Sequence, residues 1–351
     1  MLPKEMSPQL DKFLKKISNR FELFGWESAA AECHQNFAHK LLSIESNRDD
    51  SVDLRVRSFA QTKVVEIASS LSDHPAVSEI RQCWGVSIEA HSETGVIERS
   101  CSGSGKPPTA ADIATIKHSV VEALELYKRL PMVDVAEQHI PVVLHPLAAA
   151  VFFHEAVGHA LEVDQFKRVP SLCHGEIFPN DLTIVDDASI PGLFGSRGYD
   201  DIGRGSKPIV LVEGGLVVGV LDSSTTPCNM RDDFRRPPIA RMSNLVVSGR
   251  PDGVTRDAEL AAHIEVHRLA LGEHNSSGRI ELVAEECTLH KQGRAIARLP
   301  KLVIGGSPSQ LMGRIREIRG KARSLGTICE RLGAEVPTSV VSPAVVLNSI
   351  A

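Results

Sequence analysis

The sequence predicts an α+β protein with two domains. An N-terminal, strand-rich domain with flanking helices is expected over residues 1–132. A C-terminal domain, in which a mixed sheet carries a metal-binding helix, is expected over residues 133–351. Three observations predict this organisation. The length of 351 residues is enough for two hydrophobic cores, short alternating apolar and polar stretches are separated by turn residues, and one apolar helix contains two histidines and a glutamate.

The composition is typical of a cytoplasmic protein. Hydrophobic residues make up 42% of the chain, which allows a full core, and no apolar run reaches the roughly 18 residues that a membrane-spanning helix needs. The first residues show no secretory signal, and seven cysteines without paired spacings are typical of cytosolic free thiols. A net charge of −5 argues against a nucleic-acid surface. We therefore expect neither a membrane nor a nucleic acid as partner.

The N-terminal domain is expected to begin with a helix over residues 8–41, where apolar residues form a broken stripe. Two short strands are predicted within residues 52–68, and a β-hairpin is predicted around a turn at Glu93–Gly95. A helix should then run over residues 109–130, because Pro131 cannot continue it.

The C-terminal domain is expected to contain more strands than helices. Strands are predicted at LTIVDDA, PIVLVEGGLVVGVLDSS, RIELVAEECTLH and ARLPKLVIGG, with hairpin turns at Glu213–Gly215 and Lys291–Gly293. The stretch 186–206, rich in glycine, aspartate and arginine, is a long loop of the kind that carries function. Helices are predicted over residues 255–271 and 308–324, the second because apolar residues recur there at helical spacing.

The metal-binding helix is predicted from the stretch VVLHPLAAAVFFHEAVGHALEVD, residues 142–164. Its first residues are typical of a buried strand, Pro146 suits the first turn of a helix, and the alanine-rich segment that follows is apolar. Within that helix stand His154, Glu155 and His159. Two buried imidazoles and a buried carboxylate need partners, and a divalent metal satisfies all three. The alternative is a pair of core histidines that happen to lie near one glutamate.

The spacing of the two histidines predicts a local distortion. The pattern His-Glu-x-x-x-His is one residue longer than the zinc-protease motif His-Glu-x-x-His. An ideal α-helix would place His154 and His159 about 140° apart around its axis. They can share a metal only if the helix widens locally to an i→i+5 turn, and Gly158 makes such a distortion easier.

Four segments of the chain resemble the TldD/PmbA (TldE) family of metalloproteases. They are the stretch at residues 142–164, the segment LTIVDDASIPGLFGSRGYDDIGRGSKPIVLVEGGLVVGVL, the element RRPPIARMSNLVV, with Ser243 in the place of a threonine, and the closing segment SLGTICERLGAEVPTSVVSPAVVLNSI. Together they cover the chain from Val142 onward. The block before them is similar to the family in the predicted order of its elements, and is shorter than usual.

This resemblance implies a zinc-dependent peptidase of the TldD-like catalytic type, with one Zn²⁺ per active chain. It implies that His154, His159 and Cys329 are the metal ligands and that Glu155 is the general base that activates water. Among seven cysteines, only the resemblance selects Cys329. Two imidazoles and a thiolate suit Zn²⁺ and leave a fourth position for water.

The resemblance also indicates how a substrate would bind. Unfolded or short peptides would lie in a groove as extended strands, held largely through their backbone. Arg235, Arg236, Arg241 and Asn244 are candidates for one wall of that groove, although an arginine-rich run of this kind is otherwise typical of a solvated loop. The two-subunit assemblies of the family imply a homodimer, or a heterodimer with a paralogous TldE-like subunit.

Two other functions remain open. The chain could be the non-catalytic partner subunit of a TldD/TldE-type complex, although such partners lack the metal-binding residues that this chain retains. It could also be a TldD-like tailoring enzyme that acts on a modified peptide or a peptide-derived natural product. The short N-terminal block and the loop PGLFGSRGYDD keep that second alternative open.

Overall fold

Strands dominate the protein, with a few short helices between them, and the predicted α+β class is confirmed. The computed structural model describes residues 53–67, 77–134, 139–167, 179, 181–233, 235–249, 260–274 and 279–349. The helix expected over residues 8–41 lies outside these ranges. The strands are β1 Asp53–Ile67, β2 Val77–Ser92, β3 Gly95–Ser104, β4 Val142–Leu144, β5 Thr183–Asp186, β6 Ile209–Glu213, β7 Leu216–Val217, β8 Asn229–Met230, β9 Ile239–Ala240, β10 Asn244–Ser248, β11 Ala262–His274, β12 Ile280–Lys291, β13 Arg294–Leu299, β14 Leu302–Gly306, β15 Ile315–Arg331 and β16 Ala334–Leu347. The helices are α1 Ala110–Arg129, α2 Pro146–Phe153, a π-helix His154–Gly158, α3 Val163–Phe166 and α4 Pro308–Gly313.

The first three strands form an antiparallel sheet in the order β1-β2-β3. The expectation of two short strands within residues 52–68 is wrong, because β1 is a single strand that pairs with β2 along its whole length. The hairpin of β2 and β3 is confirmed: Ser92 pairs with Gly95 across the predicted turn. Gly95 has a φ of 134°, a backbone conformation that side chains with a Cβ rarely adopt.

Helix α1 covers one face of this sheet. It begins at a capping box in which Thr109 and Asp112 satisfy each other's backbone N–H groups. Its buried side chains recur at helical spacing, namely Ile113, Val120, Leu124 and Tyr127. Leu130 leaves the helix in an extended conformation, as expected for a residue that precedes a proline.

The core of the protein lies on an 11-stranded mixed sheet. Nine of its strands follow the order β13-β12-β11-β4-β16-β10-β5-β6-β7, and the other two, β14 and β15, pair with β12 and β16. Strand β4 lies between β11, to which it is parallel, and β16, to which it is antiparallel. Helix α2 packs on these central strands, with Phe152 and Phe153 fully buried. Each phenylalanine contributes about 1.5–3 kcal/mol through burial.

Two predicted helices are wrong. Within residues 255–271, the described part from Ala262 onward belongs to β11. Within residues 308–324, helix α4 ends at Gly313 and β15 follows. In both places the chain pairs with a long neighbouring strand, β12 or β16, and these cross-strand contacts outweigh local helix propensity.

The N-terminal sheet is joined to the loop 186–206 and to the large sheet by partly buried ion pairs. Arg81 on β2 lies 2.6 Å from Asp201 in the long loop 186–206, and Lys63 on β1 lies 3.6 Å from the same carboxylate. On β3, both terminal nitrogens of Arg99 donate to Glu286 of β12 at 2.7 Å. The proposed domain boundary at residue 132 stays a prediction. Within the described ranges, none of the helices has the length and apolarity needed to cross a membrane.

Candidate metal centre

The histidine motif lies where helix α2 widens into a π-helix. The N–H of His159 donates to the carbonyl oxygen of His154 at 3.1 Å, which is an i→i+5 bond. The predicted widening between the two histidines is therefore confirmed. A Cβ on Gly158 would lie 2.6 Å from the sulfur of Met242, so any larger residue there would force that side chain to move.

The widened turn brings both imidazoles to one cysteine. His154 Nε2 lies 3.2 Å from Cys329 Sγ, and His159 Nε2 lies 3.3 Å from the same sulfur. The two rings are nearly perpendicular, with their centroids 4.8 Å apart. All three side chains are buried. Cys329 lies 175 positions after His154 and 170 positions after His159 in the chain, yet the fold brings their three possible ligand atoms together.

The electrostatics of this cluster favour the binding of a cation. Burial raises the pKa of the Cys329 thiol, but its contacts with His154 and His159 outweigh burial and bring that pKa down to about 6. Burial lowers the pKa of His159, but Cys329 and Glu162 outweigh burial and raise it to about 10. A thiolate and a buried carboxylate therefore hold a proton on His159 that a metal ion would displace.

Glu162 supports the cluster from behind. Its Oε2 lies 3.3 Å from His159 Nδ1, so Nδ1 serves as the donor and Nε2 faces the sulfur. Arg331 donates to the same carboxylate, and the backbone N–H of Met242 donates to its Oε1 at 3.2 Å. The sequence argument missed this role of Glu162, although its position three residues after His159, on the same side of a helical turn, was a usable signal.

Arg241 lies inside the protein, which corrects its assignment to the wall of a substrate groove. Its side chain is 0% exposed and lies 3.3 Å from Glu162. Its terminal nitrogens donate to the carbonyl oxygens of Ala334 at 3.1 Å and Cys329 at 3.0 Å. Arg241 therefore joins the carboxylate that orients His159 to the backbone that carries the sulfur.

Asn244 is also fully buried, and its assignment to the groove is corrected in the same way. Its Oδ1 accepts hydrogen bonds from the N–H of Gly195 at 3.0 Å and the hydroxyl of Ser339 at 2.6 Å. Its Nδ2 donates to the carbonyl oxygen of Asp187 at 3.0 Å. These bonds fasten the loop 186–206 to the central strands and leave Asn244 no group for a substrate.

Arg235 and Arg236 lie on the surface, where a substrate could reach them. Arg235 is 75% exposed and pairs with Asp233. Arg236 contacts Asp232 and the carbonyl oxygen of Gly333, in the hairpin that joins β15 and β16. Their role in substrate binding stays a prediction.

Glu155 lines the same cavity as the three candidate ligands. This cavity has a volume of about 710 Å³ and also includes residues of β15 on its wall. A second cavity of about 480 Å³ reaches His154 from the side of the N-terminal sheet. The carboxylate of Glu155 and the three candidate ligands therefore border one cavity.

The donor set fits a zinc ion. Two imidazole nitrogens and a thiolate sulfur are ligands that Zn²⁺ prefers, and three protein ligands leave one position open. His159 also has the carboxylate partner that metal-bound histidines commonly have. Cys329 is a free thiol, so its sulfur is available to a metal ion and is not taken up by a disulfide.

Comparison with known proteins places the C-terminal part of the chain among metallopeptidases. The family model described as the PmbA/TldA metallopeptidase C-terminal domain matches residues 137–351, more than half of the chain. The metalloprotease TldD homolog of Haemophilus influenzae is 25% identical, over 98% of this chain and 77% of its own length. A metalloprotease from Methanocaldococcus jannaschii is 37% identical over 36% of this chain, which is 30% of its own length.

A solved structure is similar in fold. TldE from Thermococcus kodakarensis matches with a TM-score of 0.61 and 16% identity, over 78% of this chain and 64% of that chain. At this identity the likeness concerns the fold alone. The chain thus spans less than two thirds of that protein's length.

Proposed function

The chain belongs to the TldD/PmbA metallopeptidase family, and from this premise we propose that it is a zinc-dependent peptidase that hydrolyses unfolded or short peptides. In this proposal His154, His159 and Cys329 hold one Zn²⁺, and Glu155 is the general base. The observation that carries it is the convergence of His154 and His159 on Cys329 at 3.2 and 3.3 Å, beside a cavity that Glu155 lines.

The reaction divides between the metal and one carboxylate. When bound, Zn²⁺ supplies Lewis acidity, which lowers the pKa of water toward about 7 and polarises a carbonyl. Glu155 accepts the proton of the attacking water at a carboxylate oxygen and returns it to the nitrogen of the leaving amine. Glu162 and Arg241 act indirectly, because they hold His159 and the backbone of Cys329 in position.

The edge of strand β15 supports an extended substrate. Among the strands that the structure describes, β15 pairs with β16 alone, and its residues from Thr327 to Arg331 line the cavity of the metal centre. A peptide that adds to this edge through backbone hydrogen bonds would bind with little sequence selectivity. Access to the edge would then select flexible peptides over folded proteins.

The proposed assembly rests on the family resemblance, and the proposed location rests on the unpaired cysteine spacing of the sequence. We propose that the protein works in the cytoplasm, either as a homodimer or as a heterodimer with a TldE-like paralogue. Sedimentation analysis of the purified chain, alone and with such a paralogue, tests the assembly. A chain that stays monomeric in both experiments would contradict this part of the proposal.

The test of the activity is mass spectrometry of a random peptide mixture incubated with the zinc-loaded protein. We expect new peptide termini with the wild type. Glu155→Gln should retain its zinc while cleavage falls by about 10²-fold or more. Loss of zinc in Glu155→Gln would show that Glu155 is a ligand rather than the base.

The same experiment separates the two other functions. A non-catalytic partner subunit would bind no zinc and cleave nothing. A tailoring enzyme would bind zinc and leave the unmodified mixture intact, yet change the mass of a modified peptide. We favour the peptidase because all three candidate ligands and Glu155 are present at one cavity.

A further inference from the structure

A second cluster of imidazoles surrounds Glu265 on strand β11. The Nε2 atoms of four histidines lie near its carboxylate: His145 at 3.0 Å, His263 at 3.2 Å, His290 at 3.3 Å and His267 at 3.6 Å. These residues take no part in the centre at His154. Four imidazoles around one carboxylate are more than a single, partly exposed charge needs.

The sheet itself brings these side chains together. His263, Glu265 and His267 alternate along β11, so they share one face of the strand. His290 on β12 is the register partner of His263. His145 directly follows β4, whose last residue pairs with β11 in parallel.

Hydrogen bonding accounts for only part of this arrangement. Glu265 Oε2 faces three imidazole nitrogens, those of His145, His267 and His290, whereas a carboxylate oxygen has about two lone pairs to offer. The rings of His145 and His267 lie with their centroids 3.9 Å apart and are tilted by 31° to each other. The buried Nδ1 of His263 has no hydrogen-bond partner. Nitrogen and oxygen donors that converge on one point in this way are typical of a metal site.

We propose that His145, Glu265 and His267 form a second metal site, which takes a divalent transition-metal ion such as Zn²⁺ through nitrogen and oxygen donors alone. Their ligand atoms lie within 4.8 Å of one another. His263 and His290 complete the surroundings of Glu265 from the more buried side. Two imidazoles and a carboxylate leave coordination positions open to other ligands.

Access to this site comes from the cavity that His154 also lines. His267 lies on the wall of that cavity of about 480 Å³, and His145 is partly exposed. An ion can therefore enter from open space without unfolding the sheet. The same route connects the second site to the side of the candidate active centre.

The experiment measures zinc stoichiometry of the full chain by equilibrium dialysis and elemental analysis. We expect two Zn²⁺ per wild-type chain, one in Cys329→Ala, one in the double variant His145→Ala/His267→Ala, and none when all three changes are combined. His118→Ala is the matched control, because His118 is a surface histidine that is 74% exposed. It should bind two. A wild type that binds one ion, with no loss in the double variant, would show a hydrogen-bonded cluster only and overturn the proposal.

Cobalt distinguishes the two sites by their ligands. Co²⁺ in the first centre should show a thiolate charge-transfer band, whereas Co²⁺ bound to Cys329→Ala should show only the weaker ligand-field bands of nitrogen and oxygen donors. Absence of any Co²⁺ from Cys329→Ala would contradict the second site. If the double variant does not fold, as judged by circular dichroism, Glu265→Gln takes its place and should likewise lose one ion. Since no readout depends on peptide cleavage, the result is independent of the proposed peptidase activity.

Discussion

The backbone N–H of His159 donates to the carbonyl oxygen of His154 at 3.1 Å, five residues earlier in the chain. This bond places the two residues nearly one turn apart, so both rings can reach Cys329. A regular α-helix would turn them about 140° away from each other. The widened turn is thus a requirement of the ligand spacing. Isolated π-turns of this kind occur often at functional sites.

Gly158→Val should weaken metal binding although it changes no ligand. The new side chain would collide with Met242, whose sulfur would lie 2.6 Å from the added Cβ, and so disturb the turn. We expect zinc affinity to fall by about 10- to 100-fold, as for other changes that reorient ligands. Competition with a chromophoric chelator measures it. Adding Met242→Ala makes room and should recover part of the affinity. Unchanged affinity in Gly158→Val would show that the turn tolerates a side chain.

Arg241→Met should disturb the metal centre although Arg241 does not contact the ligand atoms themselves. The variant leaves the buried carboxylate of Glu162 without one of its cationic partners and frees the carbonyl oxygen of Cys329. We expect a loss of about 3–5 kcal/mol in the free energy of unfolding and a weaker Co²⁺–thiolate band at a temperature where the variant is folded.

Arg235→Met is the control for Arg241→Met. Arg235 is 75% exposed and pairs with Asp233 at the surface, so the free energy of unfolding of this variant should change by no more than about 0.5 kcal/mol. A normal cobalt spectrum in Arg241→Met would reduce Arg241 to a purely structural role.

Cys329 should be the metal-protected thiol of the chain. Its pKa of about 6 makes it largely a thiolate at neutral pH without metal, whereas burial, with a contribution from Asp112, raises the pKa of Cys101 to about 11. Iodoacetamide followed by peptide mapping should label Cys329 faster than Cys101 in the apoprotein, and zinc should suppress that labelling. Cys329→Ala should lose the first zinc ion. Equal labelling with and without zinc would argue against a sulfur ligand.

Asp201→Asn should loosen the N-terminal sheet and reduce the acid sensitivity of the protein. Arg81 and Lys63, with the N–H of Arg231, lower the pKa of Asp201 in spite of burial, which acts in the opposite direction. Because the folded pKa lies below the unfolded value of about 3.9, this carboxylate stabilises the protein above that value. Its contribution is lost as the pH falls from about 3.9 through the folded pKa.

The measurement for Asp201→Asn is urea unfolding at pH 7 and at pH 3. At pH 7 the variant should be less stable than the wild type by about 3 kcal/mol, as for a buried ion pair that loses one partner. At pH 3 the difference should shrink. A difference that is equal at both pH values would show that the charge of Asp201 is not what stabilises this contact.

The sequence was most informative where the geometry of a helix restricts which residues can occupy a position. The His-Glu-x-x-x-His spacing predicted the π-turn from geometry alone, and Pro146 correctly marked the start of α2. It was least informative for β15, a strand with few fully buried positions, in which only Ile315 and Cys329 are buried. Its weak alternation is hard to tell from a helical stripe, and the register with β16 decides the structure.

The wrong prediction of a helix at β11 also hid a group of neighbouring side chains. Ile264 and Val266 are buried and alternate with His263, Glu265 and His267, which is a period of two. A helix scatters those three polar residues around its axis, whereas a strand places them on one face. A helix over residues 255–271 therefore could not predict the cluster around Glu265. The predicted groove role of Arg241 and Asn244 was wrong for a related reason, because a polar residue type does not reveal whether its side chain is buried.

The distance of Cys329 from the histidines has a consequence for biosynthesis. A ribosome that adds about 5–20 residues per second reaches Cys329, 175 residues after His154, about 9–35 s later. The same hairpin supplies β16, which lies between β4 and β10 at the centre of the sheet. The nascent chain therefore has neither a closed core nor all three candidate ligands until β15 and β16 have been synthesised. The proposed active centre therefore cannot assemble before this hairpin has been made.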